Sequence, residues 1–328
     1  MTSRLEPLVS IVTPVYNGEQ YLSECIESVL SQTYTHWDYV IVNNCSTDRT
    51  PDIAREYAAR DARIRIHSNE TFLRVIENYN MAVRQASTQS KYCKVVAADD
   101  WLFPECIEKM VRLAEDHPTV AIVGAYGLDG TRIQWTGLPY PSTVVPGREA
   151  CRALLLGGPY VFGTPTTLLY TSEIVRSRHS FYNESNLHAD AEACLEFLEH
   201  YDFGFVHQVL TFQRKREESL TSHSVKLQTY LPNKLYDLVT YGPKYLGDAE
   251  LKERIRFRLQ AYYQYLGSQV YERRGKEFWS FHRRSLAKLG YRMSRRRVTA
   301  GAISRALEFM LDPKRLARAV VRRWRVSR

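Results

Sequence analysis

Long apolar runs are missing from this chain of 328 residues. No stretch of 18 or more apolar residues occurs, and the opening MTSRLEPLVS has no apolar leader segment, so the expected compartment is the cytoplasm. Cysteine is sparse: Cys25, Cys45, Cys93, Cys106, Cys151 and Cys194 form no CxxC pair and no disulfide-module spacing. That argues against a structural zinc site and leaves the thiols as small hydrophobes within apolar patterns. A glycine-rich phosphate loop is absent, which weighs against nucleotidyl transfer, a reaction that would release pyrophosphate. Internal repeats and low-complexity linkers are absent too. Basic excess is lacking from most of the chain: the net charge is +9, but residues 273–328 hold 18 Lys/Arg against 3 Asp/Glu, so the first 272 residues are net acidic.

What is present alternates. LVSIVTPVYN (8–17), WDYVIVNN (37–44), RIRIHSN (63–69), YCKVVAA (92–98) and VAIVGAY (120–126) read as strands. Between them, Leu22, Ile26, Val29 and Leu30, then Val75, Ile76, Tyr79, Ala82, Val83 and Ala86, then Ile107, Met110, Val111 and Ala114 recur at helical spacing. Thr50 followed by Pro51 reads as an N-cap with proline in the first turn. Strand–helix alternation from 8 to 126 predicts an α/β fold with a mostly parallel sheet, because parallel neighbours need crossover connections. Residues 127 to about 225 are more irregular, with a helix after Asp190, and from about 226 the chain reads helical and basic, with a stripe of Leu251, Ile255, Leu259, Tyr262 and Leu266.

In such sheets ligands bind beyond the carboxyl ends of the strands. Three chemically loaded stretches fall there: Thr13–Asn17, Asn43–Asp48 and Asp99–Asp100. The adjacent carboxylates of KVVAADDWLFP (94–104) suit a hard cation such as Mg²⁺ or Mn²⁺, which binds through one or two carboxylates plus substrate phosphates. They equally suit the cap of a helix starting near Pro104. Asn43 and Asn44 can hydrogen-bond in the plane of a base, or build a turn. Asp190 can serve as a general base or as an N-cap.

Taken together, VSIVTPVYNGEQYLSECIESVLSQTYTHWDYVIVNNCSTDRT resembles the opening of family 2 glycosyltransferases. Their pattern is an apolar strand, P-x-Y-N, a helix ending S-[LV]-L-x-Q-T-Y, and a strand ending D-D-G-S-T-D. The likeness continues through Asn80 and Tyr92 to AADDWLFP, and more loosely to about residue 225. The resemblance implies a GT-A, Rossmann-like fold over 1–225, with a nucleotide-sugar half (8–126) and an acceptor half (127–225), followed by a helical, Arg-rich region (226–328). It further implies that Thr13, Pro14, Val15 and Tyr16 line the nucleotide pocket, that Asn43 faces the base, and that Asn80 belongs to the donor site. Asp99 and Asp100 would hold the ribose and a divalent cation, Mg²⁺ or Mn²⁺, on the diphosphate. Asp190 stands where the family carries its catalytic base. The implied reaction is inverting, metal-dependent transfer of a sugar from a UDP- or dTDP-sugar to a saccharide or lipid-linked acceptor, in cell-surface polysaccharide or glycolipid assembly.

Several residues depart from the pattern. Asn43 and Asn44 replace aspartates, Ala97 and Ala98 replace the first half of a D-x-D-D element, and Ala189 replaces a glutamate. These changes motivate the alternative of a catalytically silent nucleotide-sugar-binding protein. Arg214, Lys215 and Arg216 stand where some members place a metal-binding histidine; they can meet the diphosphate or be solvated.

The basic end has its own pattern. Ile303, Leu307, Met310 and Leu311 share a helix side, and Leu316, Val320 and Trp324 recur every four residues among arginines. This suits a helix lying on an anionic membrane face, which would make the protein peripheral, or one packed against protein. No nucleic-acid-binding motif accompanies the arginines, which argues against that partner.

Overall fold

Val9–Val15 (β1) is buried along its whole length, as a strand covered on both faces must be. The structure, a computed structural model, describes residues 6–134, 136–214 and 220–311. It divides into two compact units, residues 1–219 and 220–328, a few residues before the expected boundary at 225.

In the first unit β1 leads to α1 (Leu22–Leu30), β2 (Trp37–Asn43), α2 (Thr50–Arg60), β3 (Ile64–Ser68), α3 (Val75–Arg84) and β4 (Tyr92–Val95). Then come β5 (Trp101–Leu102), α4 (Cys106–Asp116), β6 (Val120–Asp129), β7 (Arg132–Gln134), β8 (Val144–Val145) and α5 (Gly147–Leu155). A 3₁₀ turn (Pro165–Thr167), β9 (Leu168–Thr171), α6 (Ser172–Arg176), α7 (Ala189–Phe197) and β10 (Asp202–Gln213) complete it. The main path of the sheet runs β3-β2-β1-β4-β9-β6-β10-β5, with β9 and β5 antiparallel to the other strands. The mostly parallel α/β sheet flanked by helices is therefore present. Leu22, Ile26 and Val29 of α1 are wholly buried against it, each contributing roughly 1.5–3 kcal/mol.

Of the strands after β4 only β6 stands out in the sequence patterns; β5 and β10, which flank the site, do not. β5 forms only because Trp101 and Leu102 pair with Phe212 and Thr211, more than a hundred residues away. A strand therefore separates Asp99 and Asp100 from α4, and they do not cap that helix. β10 escapes notice because irregularities in its pairing with β6, between Val206 and Thr211, break the period-2 alternation. Thr50 is not a cap by its side chain; its hydroxyl accepts from the Gly18 amide at 2.8 Å.

The second unit contains α8 (Leu220–Leu227), α9 (Tyr230–Thr240), α10 (Gly242–Tyr245), α11 (Asp248–Tyr271), α12 (Lys276–Lys288) and α13 (Arg295–Leu311). Its core gathers Leu235, Leu259, Tyr262, Leu266, Phe278 and Leu286. The helical, basic C-terminal region is thus a folded unit with its own core. Ile303 and Leu307 lie exposed on α13. The stripe of Leu316, Val320 and Trp324, and the cations Lys215 and Arg216, lie outside the described residues.

Candidate active site

The chain builds β1, β2 and β3 outward in one direction, then returns to place β4 on the other side of β1. That reversal makes the carboxyl ends of β1 and β4 the switch point of the sheet, the place where such sheets hold a ligand crevice. Asp99 and Asp100 lie just beyond the end of β4 and Tyr16 just beyond the end of β1.

Asp100 is buried and Asp99 half-buried. Asp100 accepts the Thr166 hydroxyl on Oδ2 at 2.6 Å and the Arg214 backbone N–H on Oδ1 at 3.1 Å. Burial, with the adjacent charge of Asp99, pushes its carboxyl up to about 7 despite those two donors. Thr166 is held in turn by Lys94, a wholly buried lysine in β4, whose ammonium donates to the carbonyls of Thr166 at 2.5 Å and Leu168 at 3.0 Å. The Ala97 amide also donates to the Thr166 hydroxyl oxygen. Lys94 thereby fixes the 3₁₀ turn whose hydroxyl orients Asp100. Lys94 and Thr166 were not among the expected site residues; the one sequence signal was a lysine inside an otherwise apolar strand.

Arg214 is partly exposed, and its guanidinium is engaged by neighbouring side chains. Its guanidinium pairs with Glu24 at 2.7 Å and lies 4.2 Å from the Tyr21 ring centre, beside the stacked pair of Trp101 and Phe212. Its Nε also donates to the Asp99 carbonyl at 3.4 Å. The residue closes β10 over the carboxylate pair.

The expected nucleotide-pocket residues separate into two groups. Thr13, Pro14 and Val15 are buried in the sheet, and the Thr13 hydroxyl shares a 2.9 Å hydrogen bond with that of Tyr39, so its side chain belongs to the core. Tyr16 is 49% exposed and meets Phe72, 58% exposed, edge to face at 4.9 Å. Asn43 accepts the Ser46 amide in a turn. Asn44 accepts from the Leu73 amide and donates to the Leu73 carbonyl, at 2.9 and 2.8 Å, and also accepts from Asn69. Its side chain pins the 69–74 segment, which carries Phe72, to the end of β2. Hydrogen bonds from Asn17 and Gly18 to Ser46 and Thr50, and from the Thr47 amide to Asn17, tie together the turns that follow β1 and β2.

Asn80 is fully buried, and its amide bridges the backbone N–H and C=O of Tyr182 at 2.8 Å each. It anchors the segment leading to α7 and leaves its polar atoms committed to protein. Asp190 occupies the first turn of α7, where the Ala191 amide supports its charge but burial pushes the carboxyl up to about 6. Tyr79 joins the two regions: burial first, and then the charges of Asp99, Asp100 and Asp190, raise its hydroxyl pKa.

The donor set for a metal is two adjacent carboxylates. Among the described residues no three His, Cys, Asp or Glu side chains converge as a ligand cluster. A cation here would draw its remaining ligands from substrate phosphates and water, the usual condition for Mg²⁺. The residues fit that mode of binding.

The family model for glycosyl transferase family 2 matches residues 10–176. EpsE of Bacillus subtilis is 33% identical over 158 residues, which is 46% of this chain and 56% of EpsE. An uncharacterized glycosyltransferase of Haemophilus influenzae is 29% identical over 193 residues, 56% of this chain and 58% of that protein. The chain therefore spans a little over half the length of these relatives. Among solved structures, S. aureus TarS 1-349 in complex with UDP-GlcNAc superposes with a TM-score of 0.64 at 16% identity, covering 86% of this chain and 80% of that TarS 1-349 chain. The mannosyltransferase PcManGT of Pyrobaculum calidifontis, in complex with GDP-Man and Mn²⁺, gives 0.56 at 15% identity, covering 93% and 88%. At these identities the likeness establishes a shared fold, of the GT-A kind.

Proposed function

Because the chain belongs to glycosyl transferase family 2, we propose that it moves a sugar from a nucleoside-diphosphate sugar to an acceptor hydroxyl with inversion. The observation that carries this reading is the placement of Asp99 and Asp100 just beyond β4, beside β1, with Asp190 in the first turn of α7, whose approach is anchored by Asn80 of α3. One such arrangement supplies both a diphosphate anchor and a base for the acceptor.

Tyr16 and Phe72 offer exposed aromatic faces for a base, and Asn43 stands beside them at the end of β2. A UDP- or dTDP-sugar is the preferred donor class. Asp99 and Asp100 would hold a divalent cation on the diphosphate, where it would neutralise charge on the leaving group. Asp190 takes the acceptor proton as the new glycosidic bond forms; a raised carboxyl suits that task near neutral pH. Holding the two substrates in line supplies much of the remaining rate. Acceptor selectivity is assigned to residues 127–225, and the pathway to cell-surface polysaccharide or glycolipid assembly, with the exposed apolar positions of α13 favouring a peripheral membrane location.

The test is nucleoside-diphosphate release from UDP-, dTDP- and GDP-sugars with Mn²⁺, Mg²⁺ or EDTA, comparing the wild type with Asp100→Ala and Asp190→Asn. Metal-dependent release of one nucleotide, lost in both variants, supports the transferase. Donor binding that survives both substitutions, with no release in the presence of lipid-linked acceptors, supports the silent binding protein instead.

A further inference from the structure

The second unit contains a groove of about 510 Å³ between α11 and α13. It exists because two glycines let the helices touch and their longer neighbours hold them apart. A Cβ on Gly267 would come within 2.2 Å of the Ala302 amide nitrogen, and one on Gly301 within 2.4 Å of the Tyr263 carbonyl oxygen. Beside that contact, Ile255, Leu259 and Tyr263 form an apolar floor.

The rim has one sign. Lys252, Arg256 and Arg297 line the groove, all three exposed, and no carboxylate does so among the described residues. The Arg297 guanidinium lies over the Tyr263 ring at 5.5 Å, so one cation is fixed above the floor. On the same helix, Ile303 and Leu307 are 56% and 48% exposed, one turn apart and next to groove residues Ala300 and Ser304. Three cations over an apolar floor, beside exposed aliphatic side chains, are complementary to a molecule with an anionic head and a hydrocarbon tail. A nucleic acid would leave the aliphatic floor unsatisfied, and an apolar peptide would leave the cations unpaired.

We propose that this groove binds the phosphate headgroup of an anionic membrane lipid, whose acyl chains continue along Ile303 and Leu307. Arg256 and Arg297 meet the phosphate, and arginine's planar fork suits phosphate oxygens. The site deepens the peripheral-membrane part of the proposed function and rests on it, while its test contains no nucleotide sugar, so it and the transferase reading can fail separately.

The experiment is co-sedimentation of the full chain with phosphatidylcholine vesicles, with and without phosphatidylglycerol. The wild type should bind only the anionic vesicles. Arg256→Gln with Arg297→Gln should lower partitioning about tenfold. Arg283→Gln with Arg284→Gln, an equal charge change on α12 outside the groove, should lower it less than about threefold. Ala300→Trp fills the groove without altering charge and should also reduce binding severalfold, with thermal melting confirming that each variant is folded. Equal losses in the two double variants together with wild-type binding by Ala300→Trp would mean diffuse attraction and overturn the proposal. Absence of wild-type binding would overturn it as well. A calorimetric titration separates the sources: short-chain phosphatidylglycerol should bind and inorganic phosphate should not, whereas equal affinity would reassign the groove as a simple anion site.

Discussion

Thr166 donates its hydroxyl to Asp100 Oδ2 at 2.6 Å, across 66 residues of chain. The same residue gives its carbonyl to the buried ammonium of Lys94. A carboxylate at a strand end is free to rotate; this contact, with the Arg214 amide on the other oxygen, selects one orientation.

Thr166→Val keeps the shape and removes the donor. It should cost on the order of 1–3 kcal/mol in denaturant unfolding, because Asp100 and the Ala97 amide both lose a buried partner. Donor KM should rise in the same variant. An unchanged donor KM with lowered stability would confine Thr166 to a structural role.

Asp190→Asn should lower turnover by roughly 10²–10⁴ while leaving donor affinity near wild type. In the wild type, log(kcat/KM) should climb with pH and level off above about 6, the value to which burial raises this carboxyl in the free protein. Retention of most turnover in the variant would remove Asp190 from the reaction.

The same shift predicts a stability effect of opposite sign. A carboxyl raised on folding binds its proton more tightly in the folded chain than in the unfolded chain, where it titrates near 3.9. Its contribution is therefore most favourable below about 4 and is lost as pH climbs through about 6. At pH 7.5 Asp190→Asn should be the more stable protein by on the order of 1 kcal/mol, and the gain should vanish near pH 4. Thermal melts at the two pH values check this.

Asn44→Ala breaks both bonds to Leu73 and the one to Asn69. Stability should fall on the order of 2–3 kcal/mol. Freed from β2, the 69–74 segment should exchange its amide hydrogens faster, and donor KM should rise as Phe72 leaves Tyr16. Unaltered exchange at Leu73 would count against the pinning role.

Chelation with EDTA should abolish nucleotide release, and Mn²⁺ should restore it in the wild type. Asp100→Asn should need far higher Mn²⁺ for any recovery, since a neutral amide is a weaker ligand than a carboxylate. Release that persists in EDTA would assign the diphosphate to protein cations alone.

The parallel first half of the sheet, with its helices, was legible from residues 8 to 126, because apolar periodicity and strand-end polar residues are local signals. So were the crevice carboxylates, since a doubled aspartate after an apolar run stands out in any frame. What contacts those residues was not legible. β5 and β10 exist through pairing between distant segments, and Thr166 and Arg214 reach Asp100 from 66 and 114 residues away. Polar side chains also looked alike in sequence. Asn43, Asn44 and Asn80 all suited ligand binding, yet Asn44 and Asn80 hold backbone segments, and the Thr13 hydroxyl meets a core tyrosine. Local pattern determines which elements form and which chemistry stands at their ends. Only the packing of distant segments decides which of those groups is consumed by the protein and which remains to meet a substrate, because a hydrogen bond depends on where its partner lies in space.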